Sequence, residues 1–253
     1  MKQILVAIIF IITLSCKSER QSEKVLKADT IINKSIEISG GEKFKNSRLT
    51  FDFRDRMYFA NRNNSEFTLA RITVDKNNDS IFDMLSNNGF ERFINDEFIQ
   101  LEDSMAVKYS ASVNSVHYFS VLPFGLNDNA VSKELVGEEV IKNMTYHLIK
   151  ITFNQDGGGE DYEDVFVYWV NAKTFKPDYI AYSYNEDDGI GMRFREAYNE
   201  RYVTGLRFVN YNNFKAEDTS IQLYELGKAF ENNQLKLLSK IELKNVKVVL
   251  IDN

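Results

Sequence analysis

The chain has 253 residues, of which 43% are hydrophobic and 27% charged, with a formal net charge of −6. It is too apolar for a disordered protein, and the acidic balance argues against nucleic acid, whose phosphates are bound mainly through clustered Lys and Arg. One Cys excludes an internal disulfide framework and, with two His, leaves no zinc-ligand set of the usual kind; no metal or other cofactor is expected.

Met1-Lys2 supplies a positive end, and Ile4 to Ile12 is an almost unbroken apolar run. The run is too short for a stable bilayer span but suits the apolar region of a secretory signal. Thr13-Leu14-Ser15-Cys16, followed by polar Lys17, Ser18, Glu19 and Arg20, resembles the lipobox of bacterial lipoproteins, with Thr13 where Leu is usual. The resemblance implies cleavage before Cys16, diacylation of its thiol by palmitate-type chains and acylation of the new amino group. Cys16 is then a membrane anchor and not a nucleophile, each buried methylene adding about 0.8 kcal/mol. An ordinary cleaved signal and an uncleaved anchor are the alternatives. Residues 1–15 read as the signal peptide, 16–27 as a tether and 28–253 as one domain. The expected location is the cell envelope: lipid-anchored in the outer membrane, facing the periplasm or the cell surface.

Val25 to Ser39 reads as a helix with Leu26, Ile32 and Ile36 near one face, stopped by Gly40-Gly41. The period then falls to two. Leu49, Phe51 and Phe53 alternate with polar residues, and further strands are predicted at 57–62, 67–74, 80–85, 90–94 and 98–101. Their connections are short, so they are antiparallel neighbours. Ser104 to Leu122 interrupts the meander at helical spacing, with Tyr109, Val113, Val116 and Ser120 in register and Pro123 ending the run. Strands resume at 133–141, 146–153, 164–170, 178–184, 192–198 and 207–214. A short helix is predicted over Ile221–Phe230 and a closing strand over Leu237–Ile251. The pattern predicts a mainly β fold: a large curved antiparallel sheet, a half-open β-barrel, with an N-terminal helix and a central helix packed on the concave side. Without alternating helices a doubly wound sheet or (β/α)₈ barrel is excluded.

The Asn154–Asp164 segment holds five carboxylates and three glycines, but its spacing fits no EF-hand or β-roll, so it reads first as a solvated loop. Gly157-Gly-Gly159 and Gly189-Ile-Gly191 complete no GxGxxG and open no helix; both read as turns. His117 and His147 are the only strong general-base candidates near neutral pH, and neither accompanies a nucleophile motif. Arg193 and Arg195 share one strand face opposite Met192, Phe194 and Glu196. If that face is concave, the two guanidiniums can hold a carboxylate or phosphate head group; an outer face paired with acids is the alternative. The many aromatic residues fill a core or, on an open sheet, line an apolar cavity.

Asn114-Ser-Val-His-Tyr-Phe119, Leu122-Pro-Phe-Gly-Leu-Asn-Asp128, Gly157-Gly-Gly-Glu-Asp161, Tyr168-Trp169 and Arg193-Phe-Arg-Glu-Ala-Tyr-Asn199 resemble a family of uncharacterised lipoproteins of diderm bacteria, a domain of unknown function. The resemblance runs from about Ile31 to Val248. It implies a fold similar to the lipoprotein carriers LolA and LolB, a half-open barrel with a helical lid over an apolar cavity. Where relatives often read His-Gly-Gly, this chain has Ser39-Gly40-Gly41. Some members carry a deoxyribose-phosphate aldolase label. The leading expectation is a membrane-anchored binder of a lipid or lipoprotein acyl chain, with Val113, Val116, Tyr168, Trp169, Arg193 and Arg195 as ligand-binding candidates. The rivals are an enzyme (Lys150 being the nearest candidate for an aldolase lysine) and a surface interaction module.

Overall fold

The computed structural model describes residues 27–157, 162–186, 189–218 and 220–251. The signal segment, Cys16, most of the tether and part of the acidic glycine loop therefore lie outside the described residues. The first helix, α1 (Ala28–Ile38), buries Ala28, Ile31, Ile32 and Ser35. Ile31 thus joins Ile32 on the buried face expected for the helix, while Ile36 packs at its margin. The helix ends against a hairpin through Gly40, whose φ is 121°. A Cβ there would lie 2.5 Å from Leu206 Cδ2 and 3.0 Å from the Gly205 carbonyl. Glycine alone permits both the left-handed backbone and the close approach.

Six strands follow: β1 (Asn46–Phe53), β2 (Arg56–Asn63), β3 (Glu66–Val74), β4 (Ser80–Ser86), β5 (Gly89–Ile94) and β6 (Glu97–Phe98). In β1 the alternation places Ser47, Leu49, Phe51 and Phe53 inside, because side chains two apart share a face. The central helix α2 (Asp103–Ser120) crosses to a second set of strands. These are β7 (Val131–Ile141), β8 (Met144–Phe153), β9 (Val165–Asn171), β10 (Pro177–Glu186), β11 (Gly189–Val203) and β12 (Leu206–Ala216). A short 3₁₀ turn and α3 (Leu226–Glu231) lead into β13 (Leu235–Ile241) and β14 (Leu243–Leu250).

The half-open curved architecture is realised as two seven-stranded antiparallel sheets. Their orders are β14-β1-β2-β3-β4-β5-β6 and β13-β12-β11-β10-β9-β8-β7. The expected single closing strand over 237–251 is therefore corrected to two, one in each sheet, with Glu242 at the crossing. Buried Asn210 fixes that corner: its Oδ1 accepts from the Leu243 N–H and from Arg201 Nη1, each at 3.2 Å. Arg201 Nη2 also donates to the Leu243 carbonyl at 2.6 Å. Those bonds satisfy backbone groups that would otherwise be orphaned where the strand leaves one ladder for the other. The predicted 98–101 strand shrinks to the two residues of β6, and β11 runs well beyond 192–198.

The main core lies between the sheets and holds α1, α2 and residues such as Phe51, Tyr58, Ile149, Tyr168 and Phe208. A second cluster covers the opposite face of the second sheet beneath α3, built on Trp169, Tyr179, Phe194 and Leu226. There Trp169 Nε1 donates to Glu139 Oε2 at 2.5 Å. Gly227 of α3 sits so close that a Cβ would fall 2.5 Å from that oxygen.

Helix α2 is held to the first sheet by apolar and ionic contacts together. Val113, Val116, His117 and Ser120 are buried. Beside them Arg71 Nη1 donates to Ser112 Oγ at 2.8 Å, and the Arg92 guanidinium lies 3.5 Å from the centre of the Tyr109 ring. Both arginines converge on Asp83, which is 1% exposed.

Candidate cavity between the sheets

Because α2 lies on the first sheet, its opposite side faces the second sheet across open space. Tyr118, Phe119 and Leu122 on one side, and Phe153, Phe166 and Tyr182 on the other, enclose a cavity of about 830 Å³. The rings form a continuous wall: Phe153 and Phe166 meet edge to face at 5.8 Å, Phe166 stacks on Tyr182 at 5.2 Å, and Tyr118 sits 6.3 Å from Phe166. Edge-to-face and offset contacts of this kind fix ring positions as well as burying area. Ser110 and Asn114 add small polar groups from α2, while Glu163, Asp164 and Asn185 line the cavity at strand ends. Asn185 donates to Glu163 at 2.8 Å.

A smaller cavity of about 290 Å³ lies beside it, lined by Phe53, Tyr58, Val116 and several polar side chains. Ser115, Phe119 and Arg195 line both spaces. Arg195 stands between them, its Nη2 donating to the Tyr182 hydroxyl at 2.8 Å. Its guanidinium lies 4.8 Å from the Tyr182 ring centre and 5.3 Å from that of Phe119. Burial raises the pKa of the nearby Tyr118, Tyr168 and Tyr211 hydroxyls above the usual phenol range. All three therefore stay neutral at physiological pH.

The candidates named from sequence separate by position. Arg195 lines both cavities, and Arg193, two residues along on the same face, stacks on Tyr184 of the larger cavity wall at 5.1 Å. Val116 lines the smaller cavity. Val113 is fully buried in the core, and Tyr168 is buried behind Phe166, the two rings stacking at 6.4 Å. Trp169 points to the opposite face of the sheet, as strand alternation requires of the neighbour of Tyr168, and packs under α3. Ser115 and Tyr118, which lie inside the Asn114–Phe119 motif but were not among the expected ligand-binding residues, complete the walls. The pairing of Tyr182 and Tyr184 with Arg193 and Arg195 across adjacent strands was the available signal, since all four share one face.

The other chemistry-bearing residues lie elsewhere. His117 is buried against the first sheet, its Nε2 3.0 Å from the Ala70 carbonyl. His147 Nδ1 lies 2.9 Å from Glu138 Oε1 and its ring packs on Phe175. Lys150 is 3.8 Å from Glu134 and lines neither cavity. Among the described residues no group of three or more His, Cys, Asp or Glu side chains is placed to hold a metal ion. Among the same residues no helix is long and apolar enough to cross a membrane.

Two open antiparallel sheets around a central helix, with a cavity lined by aromatic and polar side chains between them, define a mainly β class of domain. The model of a family of unknown function, DUF6503, matches residues 2–243, and the chain belongs to that family. Among solved structures it is similar to a LolA superfamily protein from Nitrosomonas europaea: 12% identity, 90% of this chain and 94% of that one, TM-score 0.49. A DUF1329 family protein from Desulfovibrio piger gives 8% identity over 87% and 92% of the two chains, TM-score 0.39. The lipoprotein LppX of Mycobacterium tuberculosis gives 11% identity over 61% and 86%, TM-score 0.28. No curated protein sequence matches the chain significantly.

Proposed function

We propose that the protein is an envelope lipoprotein, held to the outer membrane through acylated Cys16 and a tether over residues 16–27, that binds an apolar or amphipathic molecule between its two sheets. The observation that carries this reading is the aromatic cavity. Its volume of about 830 Å³ falls in the upper part of the ordinary range for small-molecule sites. Phe153, Phe166, Phe119 and Leu122 give this space an apolar wall from which an acyl chain can displace water, while Ser110, Asn114, Asn185 and Arg195 supply polar groups beside it. Acyl chains of a lipid or of another lipoprotein are the ligand class that fits.

Native mass spectrometry of the full chain purified from membranes tests the cavity. The expected spectrum carries an additional lipid-sized mass that organic extraction removes. Absence of such a mass, together with no binding of a fluorescent fatty acid, would defeat the reading. For the anchor, Cys16→Ala is expected to abolish labelling by a clickable palmitate and move the protein out of the membrane fraction. A labelled alanine variant would refute lipidation at that residue.

A further inference from the structure

The two cavities differ in charge, and the difference has a direction. Among the described residues the carboxylates Glu163 and Asp164 line the larger space, whereas the smaller one is lined by no carboxylate and by three arginines, Arg54, Arg56 and Arg195. Arg54 and Arg56 are exposed at the β1–β2 turn, with Asp55 3.8 Å from Arg56. Arg195 is different. It stands among the rings of Tyr182, Phe119 and Tyr211, no carboxylate among the described residues pairs with it, and its Nε is buried without a hydrogen-bond partner. A guanidinium carries five N–H donors and stays charged, so leaving one of them dry and unpaired is unfavourable unless an acceptor arrives.

The neutral groups of the small cavity complement it. Ser112 Oγ accepts from Arg71 and Ser239 Oγ from Asn213, so each hydroxyl keeps an O–H to donate. Asn213 Oδ1 is buried with no partner and can accept from a hydroxyl. We propose that the small cavity receives the anionic head group, a phosphate or carboxylate, of an amphipathic ligand whose chain lies in the larger cavity. Arg195 is the residue at the junction that holds both the head and, through its stacked rings, the start of the chain. This rests on the cavity reading above and adds to it the chemical class of the ligand and its orientation.

The test titrates the full chain, in a mild detergent, with 1-myristoyl lysophosphatidic acid and with 1-myristoylglycerol, which share a chain and differ in the phosphate. The expected result is tenfold or greater preference for the phosphate, the size of a charge-assisted hydrogen bond gained on binding. Arg195→Gln should remove most of that preference, because the amide keeps N–H donors but not the charge. The exposed pair Arg54→Gln/Arg56→Gln, whose contact with the core is the Phe53 ring beneath Arg54, should reduce the preference several-fold and guards against misfolding of the first variant. Equal binding of the two lipids by the wild type, or an unchanged preference in both variants, overturns the head-group proposal and leaves the apolar cavity standing. Failure of both lipids to bind overturns the cavity reading as well. Inorganic phosphate that binds as tightly as the phospholipid would show a free-anion site and also overturn the proposal.

Discussion

Asp83→Ala is expected to cost about 3–5 kcal/mol of stability, because it leaves the largely buried Arg71 and Arg92 guanidiniums without their shared carboxylate. The Asp83 carboxylate accepts from Arg71 Nε at 3.1 Å and from Arg92 Nε and Nη2 at 2.6 and 2.9 Å. The side chains of Arg71 and Arg92 are only 6% and 12% exposed. Buried pairs of this kind cost desolvation on both sides, so their net worth is small while they are intact. Breaking one exposes the full penalty. The urea midpoint of the variant should fall accordingly, and a destabilisation below about 1 kcal/mol would contradict the arrangement. Arg71→Met with Asp83→Leu should recover part of the loss, since a matched apolar replacement removes two of the three buried charges at once. Because Arg71 and Arg92 also hold Ser112 and Tyr109, the single variant should weaken ligand retention under conditions where it is still folded. The reason is mechanical: α2 is one wall of the cavity.

Much of this fold was legible because alternation is a strong signal. Leu49, Phe51 and Phe53 announced the buried face of β1, and Arg193 with Arg195 against Met192 with Phe194 announced the two faces of β11. The helical spacing of Val113 and Val116 likewise predicted the side of α2 that is buried. Three things were not legible, each for a physical reason. A period-two pattern says which residues share a face but not which sheet owns the strand, so the change of sheet at Glu242 is invisible without Asn210 and Arg201 across the corner. Asp83 interrupts the apolar run from Ile81 to Leu85, where no alternation marks its face, and only the converging arginines of the neighbouring strands make its burial possible. The site itself is assembled from Ser115, Phe119, Tyr182 and Arg195, which are brought together by the crossing of α2 between sheets. No local spacing encodes that meeting. Tyr168 and Trp169 illustrate the converse: adjacent in a motif, they belong to opposite faces and to separate clusters.

His117 should make the protein acid-sensitive in a way that a single substitution removes. Its ring is enclosed by Phe51 and Tyr58, both edge-on at 5.8 and 5.5 Å, and its Nε2 lies 3.0 Å from the Ala70 carbonyl. A carbonyl only accepts, so Nε2 carries the proton and the neutral ring is the folded form. Burial lowers the pKa to about 3; the Ala70 carbonyl opposes that shift and the nearby Arg62 guanidinium adds to it. The unfolded chain titrates near 6.5, so below that pH it takes up a proton that the folded state refuses. Stability from this residue is therefore complete above about pH 6.5 and is lost progressively as the pH falls toward 3. Between pH 7 and pH 4 the loss is roughly 3 kcal/mol, at about 1.4 kcal/mol per pH unit. His117→Gln keeps an N–H donor for Ala70 but cannot be protonated. It should be somewhat less stable than the wild type at pH 7 yet lose less stability on acidification, the two curves converging or crossing near pH 4. Carboxylates common to both proteins cancel in the difference, so denaturation at several pH values isolates the histidine. Parallel curves from pH 7 to pH 4 would mean that His117 accepts its proton in the folded state, and that the helix–sheet contact around it opens to water.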